Sequence, residues 1–141
     1  MAEYCSTDEL RNIAENYKVF ADTCSLLHNG SEQALGYICS FIMNSSNKLI
    51  VPLAVYEELQ RFACDKSKKD LMTPSRRAMR FLKTLQDADG LDLRGDKSDP
   101  FADNVFLHVF TKYMTKYKLC LITQDYGLSK DILDLASSRS V

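Results

Sequence analysis

Two short apolar runs in this chain end on carboxylates. Lys18-Val19-Phe20-Ala21 runs onto Asp22-Thr23, and Lys118-Leu119-Cys120-Leu121-Ile122 runs onto Thr123-Gln124-Asp125. Runs of this length and composition read as buried strands. Ligands of open α/β sheets bind at the carboxyl ends of the strands, so Asp22 and Asp125 are expected to share one crevice. Acids held that close repel one another, and a hard cation relieves the repulsion while leaving coordination sites for water and phosphate.

Two more acids can be placed by the elements that carry them. Lys48-Leu49-Ile50-Val51-Pro52 reads as a second strand, and Pro52 suits the start of a helix at about 53–64, where a missing N–H costs nothing. At about 100° per residue, Val55, Leu59 and Phe62 fall on one arc that faces the sheet. Glu58 lies at the edge of that arc, within reach of a crevice, whereas Glu57 is expected to point to water. Further on, Asp99-Pro100 looks like the cap and first position of a helix that proceeds through Val105, Phe106, Val109, Phe110, Tyr113 and Met114. A cap explains Asp99. Asp103, one turn later on the side of Phe106 and Phe110, is beyond capping range.

The remaining elements complete a strand-and-helix alternation. Residues 6–17 form an expected helix, capped at Ser6 or Thr7, with Leu10, Ile13, Ala14 and Tyr17 at helical spacing. Asp22-Thr23-Cys24-Ser25 turns the chain from the sheet. A helix at 31–45 carries Leu35, Ile38, Cys39 and Ile42 on one stripe and stops at Asn44-Ser45-Ser46-Asn47. Thr73-Pro74-Ser75 marks the entry of a helix at about 74–87, with Met79, Leu82 and Leu85 or Gln86 facing inward. Asp89-Gly90 is a turn, Leu91-Asp92-Leu93 a brief strand, and Leu128, Ile132, Leu133 and Leu135 or Ala136 mark a closing helix. Residues 137–141 are a tail or a very short last strand.

Charge is concentrated between Arg61 and Lys83, where eight basic residues face Asp65 and Asp70 alone. That segment carries +6, against −1 for the whole chain. Arg76, Arg77, Arg80 and Lys83 project from the 74–87 helix, with 76, 80 and 83 on one stripe. Such a stripe can be a solvated face or a track for a phosphate backbone.

At 141 residues, with 45% hydrophobic and 26% charged, the chain suits one domain that buries roughly 68–70% of its unfolded surface. Near-neutral net charge excludes a histone-like nucleic-acid binder. The five scattered cysteines form no CxxC or Cys/His box, which points to a reduced, cytoplasmic location. Cys39, Cys64 and Cys120 have the apolar context of buried hydrophobes. No apolar run reaches the ~20 residues of a membrane span, and Met1-Ala2-Glu3-Tyr4 does not open a basic region followed by an apolar core, so no signal sequence is expected.

The alternation of strand and helix gives a three-layer α/β/α sandwich with a central, mainly parallel sheet. In that frame the sequence resembles the PIN-domain family of metal-dependent ribonucleases. The resemblance covers about residues 18–136 and is carried by Phe20-Ala21-Asp22-Thr23, by Val51 to Leu59 with its V-x-x-E-L pattern, by Asp99-Pro100-Phe101-Ala102-Asp103-Asn104, and by Leu121 to Asp125. It implies a single PIN-like domain over 1–141, with 1–17 an additional helix. It assigns catalysis and the binding of one or two Mg²⁺ or Mn²⁺ ions to Asp22, Glu58, Asp103 and Asp125, and the orientation of ligands or water to Thr23, Ser25 and Thr123. Hydrolysis of RNA to a 5′-phosphate and a 3′-hydroxyl is the chemistry implied. The partners implied are RNA, a protein inhibitor or antitoxin if the chain is a toxin, and a second copy in a homodimer. The extra first helix, the long span from Asp103 to Asp125, and the little room for the family's usual last strand depart from compact toxin-type members.

Rival readings meet specific obstacles. A haloacid-dehalogenase site needs a second Asp where Cys24 stands, and a receiver domain needs an acceptor Asp after a middle strand, whereas Asp92 lies within one. Thiol catalysis by Cys24 would depend on His28 or His108 as base. Tyr113, Tyr117 and Tyr126 suit packing better than base stacking. The reading from another class is a PIN-like module that binds RNA or protein without cutting, and toxin, housekeeping and defence roles all suit the chain's size.

Overall fold

A computed structural model of the chain describes residues 7–28, 31–95, 102–123 and 126–139. Four strands, β1 (Lys18–Ala21), β2 (Leu49–Pro52), β3 (Leu91–Arg94) and β4 (Leu119–Ile122), form one sheet in the order β3-β2-β1-β4. Every pairing is parallel, with Phe20 opposite Ile50 and Leu121, and Pro52 opposite Arg94. All carboxyl ends therefore emerge at one edge. Between the strands run α1 (Thr7–Asn16), α2 (Thr23–Leu27), α3 (Ser31–Asn44), α4 (Leu53–Cys64), α5 (Lys69–Asp87), α6 (Ala102–Tyr113) and α7 (Tyr126–Arg139). This is the expected α/β/α sandwich.

Strand side chains alternate between faces, and both faces of the central pair are buried. Val19, Ala21, Leu49 and Val51 are sealed on one side, where α1, α3, α2 and α5 pack together. Phe20 and Ile50 point the other way, and Phe20 meets the rings of Phe106 and Phe110 at 6.4 and 5.5 Å. Helix α6, joined by its neighbour α7, thus covers that face. The short connection from Tyr113 to β4 puts the carboxyl end of α6 near the amino edge of the sheet, so its amino end lies toward the carboxyl edge. The first helix is tied in by side chains: Asn47 Nδ2 donates to the carbonyls of Ala14 and Tyr17 at 3.0 and 2.8 Å, and Ser45 Oγ to Ala14 at 2.9 Å.

Several elements differ from expectation for local reasons. Asp22 to Ser25 is the cap and opening of α2, a helix too short to show a period. Helix α5 starts at Lys69 and contains Pro74, so proline does not mark its start. Its missing N–H forfeits one bond to the Asp70 carbonyl, while half-buried Leu71 and Met72 anchor the turn before it. Helix α7 continues through Ser137 and Ser138 to Arg139, so those residues are neither tail nor strand. Cys64 is exposed, because it sits at the free end of α4 rather than over the sheet, whereas Cys39 is buried. Leu133 faces out, 63% exposed. The expected cap at Asp99 and Pro100 lies outside the described residues.

Candidate active site

The site begins where β1 stops. Ala21 is fully buried, and the next residue, Asp22, has extended backbone (φ −96°, ψ 175°) that releases the chain into α2. Its carboxylate caps that helix: Oδ1 accepts from the Ser25 N–H at 2.9 Å, and Ser25 Oγ donates back to the Asp22 carbonyl at 3.0 Å. Oδ2 accepts from the hydroxyl of Thr123, the first residue past β4. The ladder brings these groups together, since Ala21 lies opposite Ile122 and the Asp22 N–H donates to the Ile122 carbonyl at 3.3 Å.

Asp22 is only 2% exposed. An ionised carboxylate so deep is costly unless paired or coordinated, yet both of its side-chain donors are neutral, and none of the ion pairs among the described residues includes it. Two carboxylate oxygens offer about four lone-pair sites, and two donors leave room for more. An oxygen-only site with negative charge and no cation fits a hard divalent ion. Beside it, Thr23 is 7% exposed, and its hydroxyl has no hydrogen-bond partner among the described residues.

Glu58 comes from the neighbouring strand. Pro52 ends β2 and caps α4, whose Val55 and Leu59 are fully buried against the core. Glu58 follows on the adjacent face, its side chain 28% exposed and 3.9 Å from Arg61 Nη2. Helix α4 packs against α2, the helix that Asp22 caps. Glu57 is also half-buried, so it does not point freely to water as the helical arc suggested. The arc has no sharp edge on this helix because α5 packs along it and shelters residues beside the sheet-facing stripe.

Asp103 is the second residue of α6, at the end directed to the carboxyl edge of the sheet, but its side chain lies outside the described residues, as does all of Asp125. Among the described residues no three His, Cys, Asp or Glu side chains gather closely enough to hold a metal. The structure therefore joins Asp22, Ser25 and Thr123 directly, with Thr23 next in the chain, while Glu58 stands on α4, which packs against α2.

The basic stripe is not uniform. Arg76 is exposed but donates from Nε to the Ala63 carbonyl at 3.2 Å, near the carboxyl end of α4. Arg77 is half-buried, whereas Arg80 and Lys83 are exposed and line a cavity of about 390 Å³ with Tyr56, Met79, Gln86 and Leu91. The face opposite them carries Ser75, Ala78, Leu82 and Leu85 into the core.

Sequence reading alone did not identify the Ser25 amide as a holder of the carboxylate. The pattern was visible, since an Asp three residues before a Ser whose N–H it can cap is a helix-start signal. No curated protein matches the chain. A family model described as the PIN domain matches residues 19–131, most of the chain and all four strands, and the chain belongs to the PIN-domain family.

Proposed function

We propose that this protein is a metal-dependent endoribonuclease that hydrolyses RNA phosphodiester bonds at the carboxyl edge of the sheet. PIN domains are in general nucleases that use divalent metals. The observation that carries the reading is Asp22: a buried carboxylate at a strand end, held by two neutral donors and with no cationic partner among the described residues. A carboxylate serving only as a helix cap could sit at the surface.

In this mechanism Asp22, Asp103 and Asp125 would hold Mg²⁺ or Mn²⁺, and Glu58 would assist with that ion, with a second one, or with the attacking water. The ion would lower the water's pKa and offset charge that develops on the phosphate. Ser25 and Thr123 keep the Asp22 carboxylate at one orientation. The Thr23 hydroxyl, buried and without a partner among the described residues, would orient a water or phosphate oxygen. Arg80 and Lys83 draw the RNA backbone by charge, with Arg76 and Arg77 contributing less because one is engaged with Ala63 and the other half-buried.

The test is cleavage of a labelled single-stranded RNA in Mn²⁺ by purified wild type, Asp22→Asn, and Asp22→Asn/Asp125→Asn. Asparagine retains a helix cap, so the fold is expected to survive, RNA binding to persist, and cleavage to vanish. Undiminished cleavage by the double variant refutes the assignment. Wild-type protein that binds RNA in Mn²⁺ but never cuts it would favour a silent binding module. Toxin, housekeeping and defence roles each leave this chemistry the same and differ in the RNA chosen and in whether an inhibitor protein accompanies the chain.

A further inference from the structure

The face of the sheet under α6 carries Lys18, Phe20, Ile50, Pro52, Arg94 and Leu119. Strand alternation and the registers of Lys18 with Leu119, Phe20 with Ile50, and Pro52 with Arg94 put them on one side. Together with Val109, Tyr113 and Tyr117 on and just after α6, and with Gly95, they line a cavity of about 480 Å³. Ligand pockets run to about 300–1,000 Å³. The middle of this one is apolar, with Phe20, Ile50, Val109 and Leu119, and its two ends are cationic. Lys18 opens β1, and Arg94 stands four residues, about 13 Å, farther along the strand direction.

Neither cation is used up. None of the ion pairs among the described residues includes Lys18. Arg94 gives only Nε to Asp92, at 2.7 Å, which leaves its two terminal nitrogens available among the described residues. The aromatic wall is also open: Tyr117, expected to pack, is 44% exposed. Its ring centroid lies 6.2 Å from that of Tyr113, and lysines flank both rings. Lys18 and Lys116 are 5.6 and 5.5 Å from the Tyr117 centroid, and Lys112 is 5.3 Å from that of Tyr113. A lysine over an exposed ring is weakly held. A nucleobase stacks on such a ring more strongly, and the displaced ammonium gains a charge-assisted bond if a phosphate arrives with the base.

We propose that this cavity holds one nucleotide of a single-stranded RNA, with its base stacked on Tyr117 and the phosphates on its two sides held by Lys18 and Arg94. A nucleotide within a strand is a flat ring between two anions, and the cavity is an apolar, tyrosine-walled floor between two cations. A fatty acid or a free mononucleotide carries its anion at one end only. Sheet register supplies the connection to the candidate active site. Two residues beyond Phe20 and Ile50, Asp22 is level with Pro52 and hence with Arg94, two strands or about 10 Å away. RNA whose phosphate rests on Arg94 therefore passes the carboxyl edge of the sheet. The inference rests on the nuclease reading for RNA as the ligand, and adds the route: along the α6 face, on the other side of the sheet from the Arg80 and Lys83 stripe of α5.

Fluorescence anisotropy of a labelled single-stranded RNA of about six nucleotides, a length within the range of such sites, tests this in EDTA, where no metal is present and nothing is cut. Tyr117→Ala should weaken binding about tenfold, and Tyr117→Phe, which keeps the ring face, should match the parent. Lys18→Ala should lower the slope of log K on log salt by about 0.7. Both side chains are exposed, so circular dichroism of each variant should stay that of the parent. Adenosine 3′,5′-bisphosphate should displace the RNA at lower concentration than 5′-AMP, which has one phosphate. Unchanged binding in both Tyr117→Ala and Lys18→Ala overturns the proposal, as does Tyr117→Phe weakening it as much as Tyr117→Ala. Equal competition by 5′-AMP also overturns it and makes the cavity a site for a free nucleotide. Protein that cuts nothing in Mn²⁺ but loses RNA affinity in these variants keeps this site and loses the nuclease reading; protein that cuts and binds regardless of them does the reverse.

Discussion

The hydrogen bond from Thr123 to Asp22 joins the first strand to the last across the candidate site, and Thr123→Val tests it. Valine keeps the shape and removes the hydroxyl. Asp22 is 2% exposed, so bulk water has little access to replace the lost donor, and among the described residues the carboxylate keeps only the Ser25 amide on its side chain. Hydrogen bonds to charged groups contribute about 1.5–3 kcal/mol. For a domain of this size each kcal/mol moves the melting temperature roughly 3–4 °C, so Thr123→Val should melt about 5–12 °C lower, whereas Thr123→Ser should stay near the parent. Truncation also alters packing at half-buried Thr123, which a double-mutant cycle with Asp22→Asn removes. Urea denaturation of the four proteins should give a coupling energy above about 1 kcal/mol. A coupling within about 0.3 kcal/mol of zero would refute the view that Thr123 supports this carboxylate, even if the single variant were destabilised.

Metal-free protein titrated with Mn²⁺ should gain stability as mass action requires, about 2.7 kcal/mol at a hundredfold excess over Kd; a melting temperature that rises equally in Asp22→Asn would place the ion elsewhere. Burial pushes the Cys39 thiol up to about 12 from the ordinary 9.0. The folded chain then holds a proton that the unfolded chain releases above about pH 9, so stability from this group is fully present below pH 9 and declines toward pH 12 by at most about 1.4 kcal/mol per pH unit. Comparing Cys39→Ala with the parent over that range isolates the effect, and parallel alkaline profiles would contradict it. Arg80→Ala/Lys83→Ala should flatten the dependence of log K for single-stranded RNA on log salt by about 1.4, with a smaller change in Arg76→Ala; equal slopes in all three proteins would remove α5 from the RNA track.

The sheet was legible because each strand is a run of apolar residues bounded by turns, and four such runs separated by helical segments leave few topologies besides a parallel sandwich. Legibility failed where local chemistry and tertiary context disagree. Pro74 has the signature of a helix start, but a helix tolerates the loss of one bond when the turn before it is packed, and α5 begins five residues earlier. Five residues of α2 are too few for a period to appear. Cys64 has apolar neighbours in sequence, yet at about 100° per residue it stands opposite Val55 on α4 and is exposed, and Leu133 is exposed beside half-buried Ile132 on α7.

Asp22 illustrates why residue type alone under-determines a site. Its position after β1 suggested a metal ligand, while its geometry also makes it the cap of α2. The two roles are compatible: the cap occupies one lone pair of Oδ1, Thr123 occupies one of Oδ2, and the remaining pairs stay available. Capping fixes the carboxylate in advance, so a cation need not supply the entropy of ordering that side chain, which is the advantage of preorganisation. A surface Asp with the same cap would bond water on its open lone pairs at little cost. At 2% exposure Asp22 has scant access to that alternative, and its burial without a cationic partner among the described residues is therefore the feature that separates a ligand from an ordinary helix cap.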